Sequence, residues 1–188
     1  MFTPLFIDGV WNTTFESNLK KYCLNTRKTD KGREYSNRGG WQSKDLDLTD
    51  KLLQPLSSHI ISETIKYSSM FNFISNNFTI QCMWININGY KDYNVPHNHG
   101  NCTFSGVYYV DTPRDCGDIV FNKGNYTVMG YDWSYGFAGL NNYNSSNWRL
   151  PSEKGKCYIF PSYFEHSVLP NLNKNKERIS ISFNISND

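Results

Sequence analysis

The stretch that decides the fold is the last strand-like run of the chain, residues 178–185, which reads RISISFNI. Successive side chains of a β-strand point to opposite faces, so Arg178 and Ser180 share one face while Ile179 and Ile181 share the other. If helices cover the apolar face, the polar face looks into the protein, where an unpaired guanidinium is very costly and needs a ligand or partner charge. An edge strand with its polar face in water fits the same alternation, so this run alone leaves both interpretations open.

Similar apolar and aromatic runs precede it from residue 78 onward, separated by clusters of Gly, Pro, Asn and Asp. These runs are FTIQCMWININ (78–88), FSGVYYV (104–110), GDIVF (117–121), NYTVMGYDW (125–133) and GKCYIF (155–160). Their spacing is typical of an antiparallel β-sandwich or barrel. The polar, aromatic segment 134–153 is predicted to be a long loop that forms a lid or a binding edge.

The N-terminal part, about residues 11–76, is predicted to be mainly helical. From Asp47 onward, apolar positions recur near a 3.6-residue period, and Pro55 should kink or restart this helix. The positions near one stripe are Leu52, Leu56, His59, Ile60, Tyr67 and Met70. A shorter amphipathic helix is predicted at about 12–23, with a polar loop between the two. The prediction is an α+β fold in a single domain, 1–188, with a β core at about 78–188 and helices on one outer face.

Composition narrows the class of protein. The 188 residues carry a formal net charge of +2 from 19 basic and 17 acidic residues, without a basic block that would grip nucleic acid. No stretch is long and apolar enough for a membrane span, and the N-terminus lacks a signal-peptide pattern. Five cysteines without CxxC spacing favour free thiols in a reducing cytoplasm. The sequence does not indicate an oligomeric state.

Three of the four histidines lie at the ends of strand-like runs: His97 and His99, two residues apart, and His166. Side chains at i and i+2 of a strand point the same way, and a third from a neighbouring strand can complete one face of an octahedron. That arrangement leaves positions open for a substrate and dioxygen. Each histidine could also be an ordinary core or surface residue, so the spacing makes a metal site a candidate.

Three segments carry a resemblance to a known family: PHNHGNCTFSGVYYVDTP (96–113), IFPSYFEHSVLPN (159–171) and ERISISFN (177–184). In this order they resemble the Fe(II)- and 2-oxoglutarate-dependent dioxygenases, and most closely a small, prolyl-hydroxylase-like group with a His-x-His motif. The stretch SNRGGWQSKDL (36–46) is similar to a segment of the same group. The resemblance implies a double-stranded β-helix core, also called a jelly roll or cupin-like fold.

The resemblance also implies an oxidoreductase that uses Fe(II), 2-oxoglutarate and dioxygen and releases succinate and CO2. His97 and His166 match the two histidine ligands, and Arg178 matches the arginine that pairs with the far carboxylate of 2-oxoglutarate, with Ser180 beside it. Arginine suits this role because its planar fork binds a carboxylate through two hydrogen bonds. Asn86 lies about where a residue that binds the co-substrate is expected, although it also fits a wet strand end.

His99 stands where the family usually has a carboxylate ligand. Either His99 is the third ligand, which gives a three-histidine site, or only His97 and His166 bind and water or a more distant group completes the site. A shifted register, with Asn101 in the acid position, is less attractive because a neutral amide replaces an anion poorly. We favour the three-histidine site.

The substrate is not specified by the sequence: a peptide, an amino acid or another small molecule all fit, with hydroxylation as the expected outcome. One alternative is a cupin-like metal or small-molecule binding module without turnover, which would not need a dicarboxylate clamp at Arg178 and Ser180. A structural sandwich is a third possibility, opposed by the ordered motifs. Rich asparagine and lysine usage suggests an AT-rich, viral genome, and the cytoplasm would then be that of a host.

Overall fold

The computed structural model describes residues 9–123, 138 and 145–187. Within these ranges the strands and helices, in chain order, are β1 (Trp11–Thr14), α1 (Lys20–Thr29), β2 (Asn37–Arg38), β3 (Trp41–Gln42), α2 (Gln54–Ser68), β4 (Phe78–Asn88), β5 (Tyr93–His97), β6 (Phe104–Asp111), β7 (Ile119–Asn122), β8 (Asn147–Leu150), β9 (Lys156–Pro161), β10 (His166–Val168) and β11 (Arg178–Asn187). A short 3-10 turn, Ser69–Phe71, follows α2.

The described strands form two antiparallel sheets. The larger sheet has the order β1-β9-β6-β11-β4-β3, and the smaller has the order β2-β5-β10-β7-β8. Strand β11 lies inside the larger sheet, with long registers against β4 on one side and β6 on the other. The mainly β architecture with flanking helices is therefore confirmed.

The apolar face of β11 packs against the helices. Ile181 and Phe183 are fully buried in one core cluster with Leu56 and Ile60 of α2 and with Cys23 of α1. Burying each large apolar side chain of this kind contributes about 1.5–3 kcal/mol to stability. Because this face is covered by helices, the alternating polar face of β11 must look toward the smaller sheet.

Close packing within the larger sheet depends on Gly106 of β6. A Cβ at this position would lie 2.3 Å from the Phe183 ring and 2.5 Å from the Tyr158 carbonyl oxygen. Only a residue without a side chain fits there. The glycine of the SGVYY motif thus lets β6 approach its neighbours closely.

The predicted helix at about 12–23 is wrong. Trp11–Thr14 instead forms β1, which pairs with β9, and α1 begins only at Lys20. The β-branched pair Thr13 and Thr14 favours a strand, and an available sheet edge outweighs a weak helical period. Pro55 occupies the first turn of α2, where its missing N–H is harmless, so it starts the helix without a kink.

Short strands also occur where loops are predicted. Strands β2 and β3 lie within the polar segment that joins the two helices, and β8 lies within the predicted loop 134–153. Each has two to four residues, too few for a periodic signal. The predicted strand at 125–133 and half of the predicted lid, residues 134–137 and 139–144, lie outside the described residues.

The five cysteines are free thiols in the structure. Among the described helices, none has both the length and the apolar character that crossing a membrane would require.

Candidate active site

The smaller sheet brings the three histidines together. His97 on β5 and His166 on β10 are direct cross-strand partners, and their ring centroids lie 4.3 Å apart. His99 follows just after β5, where its backbone N–H donates to the Ser162 carbonyl oxygen at 3.0 Å. Its ring centroid lies 5.1 Å from that of His97 and 5.2 Å from that of His166.

The three imidazoles are close enough to share one metal ion. One ring nitrogen from each lies within 4.8 Å of those of the other two. Imidazole bonds to a divalent ion such as Zn²⁺ measure about 2.0–2.1 Å, so any two ligands of one ion lie at most about 4.2 Å apart. Small movements of the three side chains toward one another would therefore bring one nitrogen of each ring to bonding distance from a single ion.

Hydrogen bonds orient two of these rings toward the shared position. His97 Nδ1 lies 2.8 Å from the Val95 carbonyl oxygen, and His166 Nδ1 lies 2.9 Å from the Phe164 carbonyl oxygen. A carbonyl oxygen only accepts, so each Nδ1 carries the proton and each Nε2 keeps a free lone pair. Fixing the tautomer through the second ring nitrogen is how proteins prepare a histidine ligand.

Burial keeps the three rings neutral. It lowers the pKa of His166 from its ordinary 6.5 to about 3 and that of His99 to about 4, and His97 nearby adds to both shifts. Burial also lowers the pKa of His97. Because a metal binds only the neutral imidazole, the site is ready to take an ion without first losing protons near neutral pH.

A cavity of about 490 Å³ between the two sheets contains these histidines at its wall. The polar residues of β11 line the same cavity, namely Arg178, Ser180, Ser182 and Asn184. The inward orientation of this face is therefore confirmed, and the edge-strand interpretation is wrong. Asn86 and Asn88 of β4, which alternate with Ile85 and Ile87, also face the cavity.

Arg178 is a buried cation at the deep end of this cavity. It is 1% exposed, and its Nη1 donates to the carbonyl oxygens of Cys116, Gly117 and Leu169. Gly117 has a φ of +83°, and a Cβ there would lie 2.1 Å from the Leu169 oxygen, so glycine is needed to build this cage. Nη2 is buried and has no hydrogen-bond partner among the described residues.

Two neighbours of Ser180 also present unused polar atoms. Ser180 pairs with Asn86 on β4 and with Tyr109 on β6, so all three point into the cavity. Asn86 Nδ2 donates to Ser182 Oγ at 3.0 Å, while its Oδ1 is buried without a partner. The Tyr109 hydroxyl is likewise buried and unpartnered, and burial raises the pKa of Tyr109 to about 12, so it stays protonated.

Tyr109 is a residue of the candidate site that none of the sequence motifs singles out. It is 1% exposed, and its ring ends at the cavity beside Arg178. No local sequence pattern identifies it, because its inward position follows from the register of β6 against β11, in which it lies opposite Ser180.

These residues fit the two groups that the motifs imply. Three neutral imidazoles with open space beside them suit a divalent iron, and a buried guanidinium with a free Nη2 next to a free hydroxyl suits a carboxylate. An unpaired buried donor costs about 1–3 kcal/mol, so both donors call for an acceptor in the cavity. The arrangement is that of a candidate metal site beside an anion-binding pocket on a two-sheet β scaffold.

Comparison with known proteins then gives the family. The family model for 2OG-Fe(II) oxygenases matches residues 82–184, more than half of the chain and the segment that includes all three histidines and Arg178. The chain belongs to the 2OG-Fe(II) oxygenase family. It is therefore an oxidoreductase of a family that uses Fe(II), 2-oxoglutarate and dioxygen.

Solved structures share its fold. A prolyl-4-hydroxylase from Pseudomonas putida aligns with a TM-score of 0.68 at 12% identity, over 96% of this chain and 94% of that one. The α-ketoglutarate-dependent epimerase SnoN of nogalamycin biosynthesis gives 0.66 at 16% identity, over 96% and 79%. A prolyl hydroxylase from Trichoplax adhaerens, solved with a hypoxia-inducible-factor peptide fragment, gives 0.62 at 13% identity, over 96% and 84%. The predicted double-stranded β-helix is thus confirmed. No curated protein matches the chain by sequence.

Proposed function

We propose that His97, His99 and His166 hold Fe(II), and that Arg178 binds the far carboxylate of 2-oxoglutarate. The observation that carries the proposal is a single cavity with the three imidazoles at its wall and the unpartnered Arg178 Nη2 at its deep end. The bound iron would supply activation of dioxygen, coupled to the oxidative decarboxylation of 2-oxoglutarate to succinate and CO2.

The protein side chains position the co-substrate. Arg178 and the Tyr109 hydroxyl each offer an unused donor, which matches the acceptor-only character of a carboxylate. Ser180 lies between Tyr109 and Asn86 in the register of the larger sheet and adds a hydroxyl to the same subsite.

Asn86 takes part with its amide reversed. Its Oδ1 now faces the cavity without a partner, whereas 2-oxoglutarate offers only acceptors to it. Rotating the amide by half a turn lets Oδ1 accept from the Ser182 hydroxyl and turns Nδ2 toward the co-substrate. The rotation gives a partner to Oδ1, which is otherwise unpaired, and leaves Nδ2 free to donate to the co-substrate.

We propose hydroxylation of a peptide, an amino acid or another small molecule as the reaction. Support comes from the similar solved structures, which include two prolyl hydroxylases, one of them with a bound peptide. The epimerase among them has a similar fold but catalyses a different reaction, so the product formed by this protein must be measured. Five free thiols support a reducing, cytoplasmic location.

Anaerobic metal loading tests the site. The purified protein is expected to bind one equivalent of Fe(II) and, on addition of 2-oxoglutarate, to develop a weak visible charge-transfer band. His166→Ala should lose the stoichiometric iron while the fold remains cooperative, because a chain of 188 residues buries enough core to fold without a metal. Full iron occupancy in His166→Ala, or no band in the native protein, would overturn the proposal.

A further inference from the structure

A row of inward-facing side chains runs across the larger sheet from the co-substrate subsite to the cavity mouth. Tyr109, Ser180, Asn86 and Gln42 are successive cross-strand partners, and an isolated bridge pairs Gln42 with Arg33. All five line the cavity. Arg33 therefore faces the same space as Arg178, but from the outer end of the row.

The Arg33 guanidinium is only partly used by the protein. Nη2 donates to Asp45 Oδ1, and the group lies over the Tyr35 ring, 5.1 Å from its centroid. Nε is buried and has no hydrogen-bond partner among the described residues. The ion pair with Asp45 is partly open to water, with side chains 25% and 56% exposed, so its own contribution to stability is small. A buried N–H at the edge of a cavity indicates an acceptor that the protein does not provide.

The loop that carries Arg33 is held in place by its own hydrogen bonds. Asn37 is 3% exposed; its Oδ1 accepts from the Tyr35 N–H at 2.9 Å, and its Nδ2 donates to the Arg33 carbonyl oxygen at 3.3 Å. The Arg33 N–H in turn donates to the Gln42 carbonyl oxygen at 2.8 Å. The guanidinium is thus presented on a fixed backbone, which reduces the entropic cost of binding a ligand.

The charges in the cavity favour an anion at this position. Among the described residues that line it, the charged groups at neutral pH are Arg33, Asp45 and Arg178. In the proposed function, three neutral imidazoles leave the double charge of Fe(II) to be cancelled by the two carboxylates of 2-oxoglutarate. Asp45 offsets one guanidinium, and one positive charge remains. A carboxylate ligand in place of His99 would have cancelled this remaining positive charge.

We propose that the substrate carries a carboxylate and that Arg33 binds it at the mouth of the cavity. This inference rests on the proposed function and names the substrate class: an organic acid, an amino acid or a peptide bound through a carboxylate. Arg33 Nε supplies the free donor, the Tyr35 ring supports the guanidinium plane, and Asp45 competes with the substrate for the same cation.

Ligand-observed NMR on the protein loaded with Zn(II) in place of Fe(II), at saturating 2-oxoglutarate, tests the inference. The probes are N-acetyl amino acids, each titrated beside its primary amide. We expect at least one carboxylate to bind about tenfold or more tightly than its amide, the gain typical of a charge-assisted hydrogen bond. Arg33→Gln should abolish this preference. Arg38→Gln should keep it, because Arg38 lies in the same loop but does not line the cavity.

The variant Asp45→Asn distinguishes recognition of the substrate by Arg33 from a purely structural role of the ion pair between Arg33 and Asp45. If Asp45 only competes for Arg33, this variant should bind the carboxylate several-fold more tightly, whereas a purely structural ion pair would make both variants weaker. The inference is overturned if both variants lose affinity, if Arg33→Gln keeps the preference, or if no carboxylate is preferred. Failure of the proposed function would be seen separately, as absence of 2-oxoglutarate binding to the native protein.

Discussion

Arg178 places a buried, permanent positive charge in this cavity. Its Nη1 is saturated by three backbone carbonyl oxygens, so the charge is held in place while Nη2 stays available. Burial lowers its pKa, but a guanidinium remains protonated in proteins. A permanent, buried and half-satisfied cation is a strong site for an anion and a poor structural element by itself.

Replacement of this residue should therefore separate co-substrate binding from metal binding. Arg178→Ala should weaken 2-oxoglutarate binding by about two orders of magnitude, equivalent to roughly 3 kcal/mol of a paired carboxylate contact. Iron affinity should change far less, because the histidines belong to the other sheet. Titration of 2-oxoglutarate into the metal-loaded protein measures the first affinity, and titration of Fe(II) into the metal-free protein measures the second. Arg114→Ala, whose side chain is 94% exposed, is the control. Unchanged dependence on 2-oxoglutarate would contradict this role.

Variants of His99 test whether this residue is a metal ligand. His99→Ala should lower iron affinity severely, since it removes one of three proposed ligands. His99→Asp should retain iron, because two histidines and a carboxylate form a facial triad that suits Fe(II). Iron content after dialysis against a weak chelator measures both variants. If His99→Ala holds iron as firmly as the native protein, His99 lies outside the metal's ligand set and contacts the substrate instead.

The residues found from sequence differ from those missed in a physical way. His97, His99, His166 and Arg178 could be selected as candidates because they lie in motifs that resemble those of a known family. Tyr109 and Arg33 could not, because their proposed roles depend on which residue lies across the sheet. Register is set by the whole sheet and leaves little trace in a local pattern.

The same contrast holds for strands and helices. β4, β6 and β11 could be predicted because each has eight or more residues with a clear apolar face. β10, with three residues, and β5, which contains Pro96, gave no periodic signal. Yet these two strands carry His97 and His166 side by side. The elements that form the proposed metal centre are thus the ones that propensity describes least well.

Packing between strands gives a prediction at Gly106. Gly106→Ala places a methyl group 2.3 Å from the Phe183 ring and 2.5 Å from a backbone oxygen, so a strand must shift. We expect a loss of about 1–3 kcal/mol in the free energy of unfolding, the usual cost of overpacking. Urea denaturation measures it.

Gly100→Ala is the matched control, because a Cβ there has nothing within 4 Å. The two variants add the same methyl group to the same kind of residue. Equal stability of the two variants would show that β6 can move away from β11 without cost.

The molecule as a whole has its main apolar core under the helices and a mixed interior between its sheets. The space between the sheets holds a smaller apolar cluster, which includes Ile119, Phe121 and Phe160, beside the buried polar groups of His166, Asn86 and Arg178. The polar part of this interior adds little to stability unless ligands fill it. Iron and 2-oxoglutarate are therefore expected to raise the unfolding temperature by binding the folded state alone.

Acid should destabilise the metal-free protein through the same histidines. Burial lowers the folded-state pKa of His166 to about 3, below its unfolded value near 6.5. The unfolded chain then binds the extra proton first, so this stability is fully present above about pH 6.5 and is lost as the pH falls toward the folded pKa. Each such histidine contributes a slope of about 1.4 kcal/mol per pH unit inside that window.

Urea denaturation at pH 7.5, 6 and 5 should show this decline in the free energy of unfolding. His166→Gln, whose side chain has no proton to gain, should show a shallower decline. Parallel pH profiles for the two proteins would mean that His166 is not held neutral by burial.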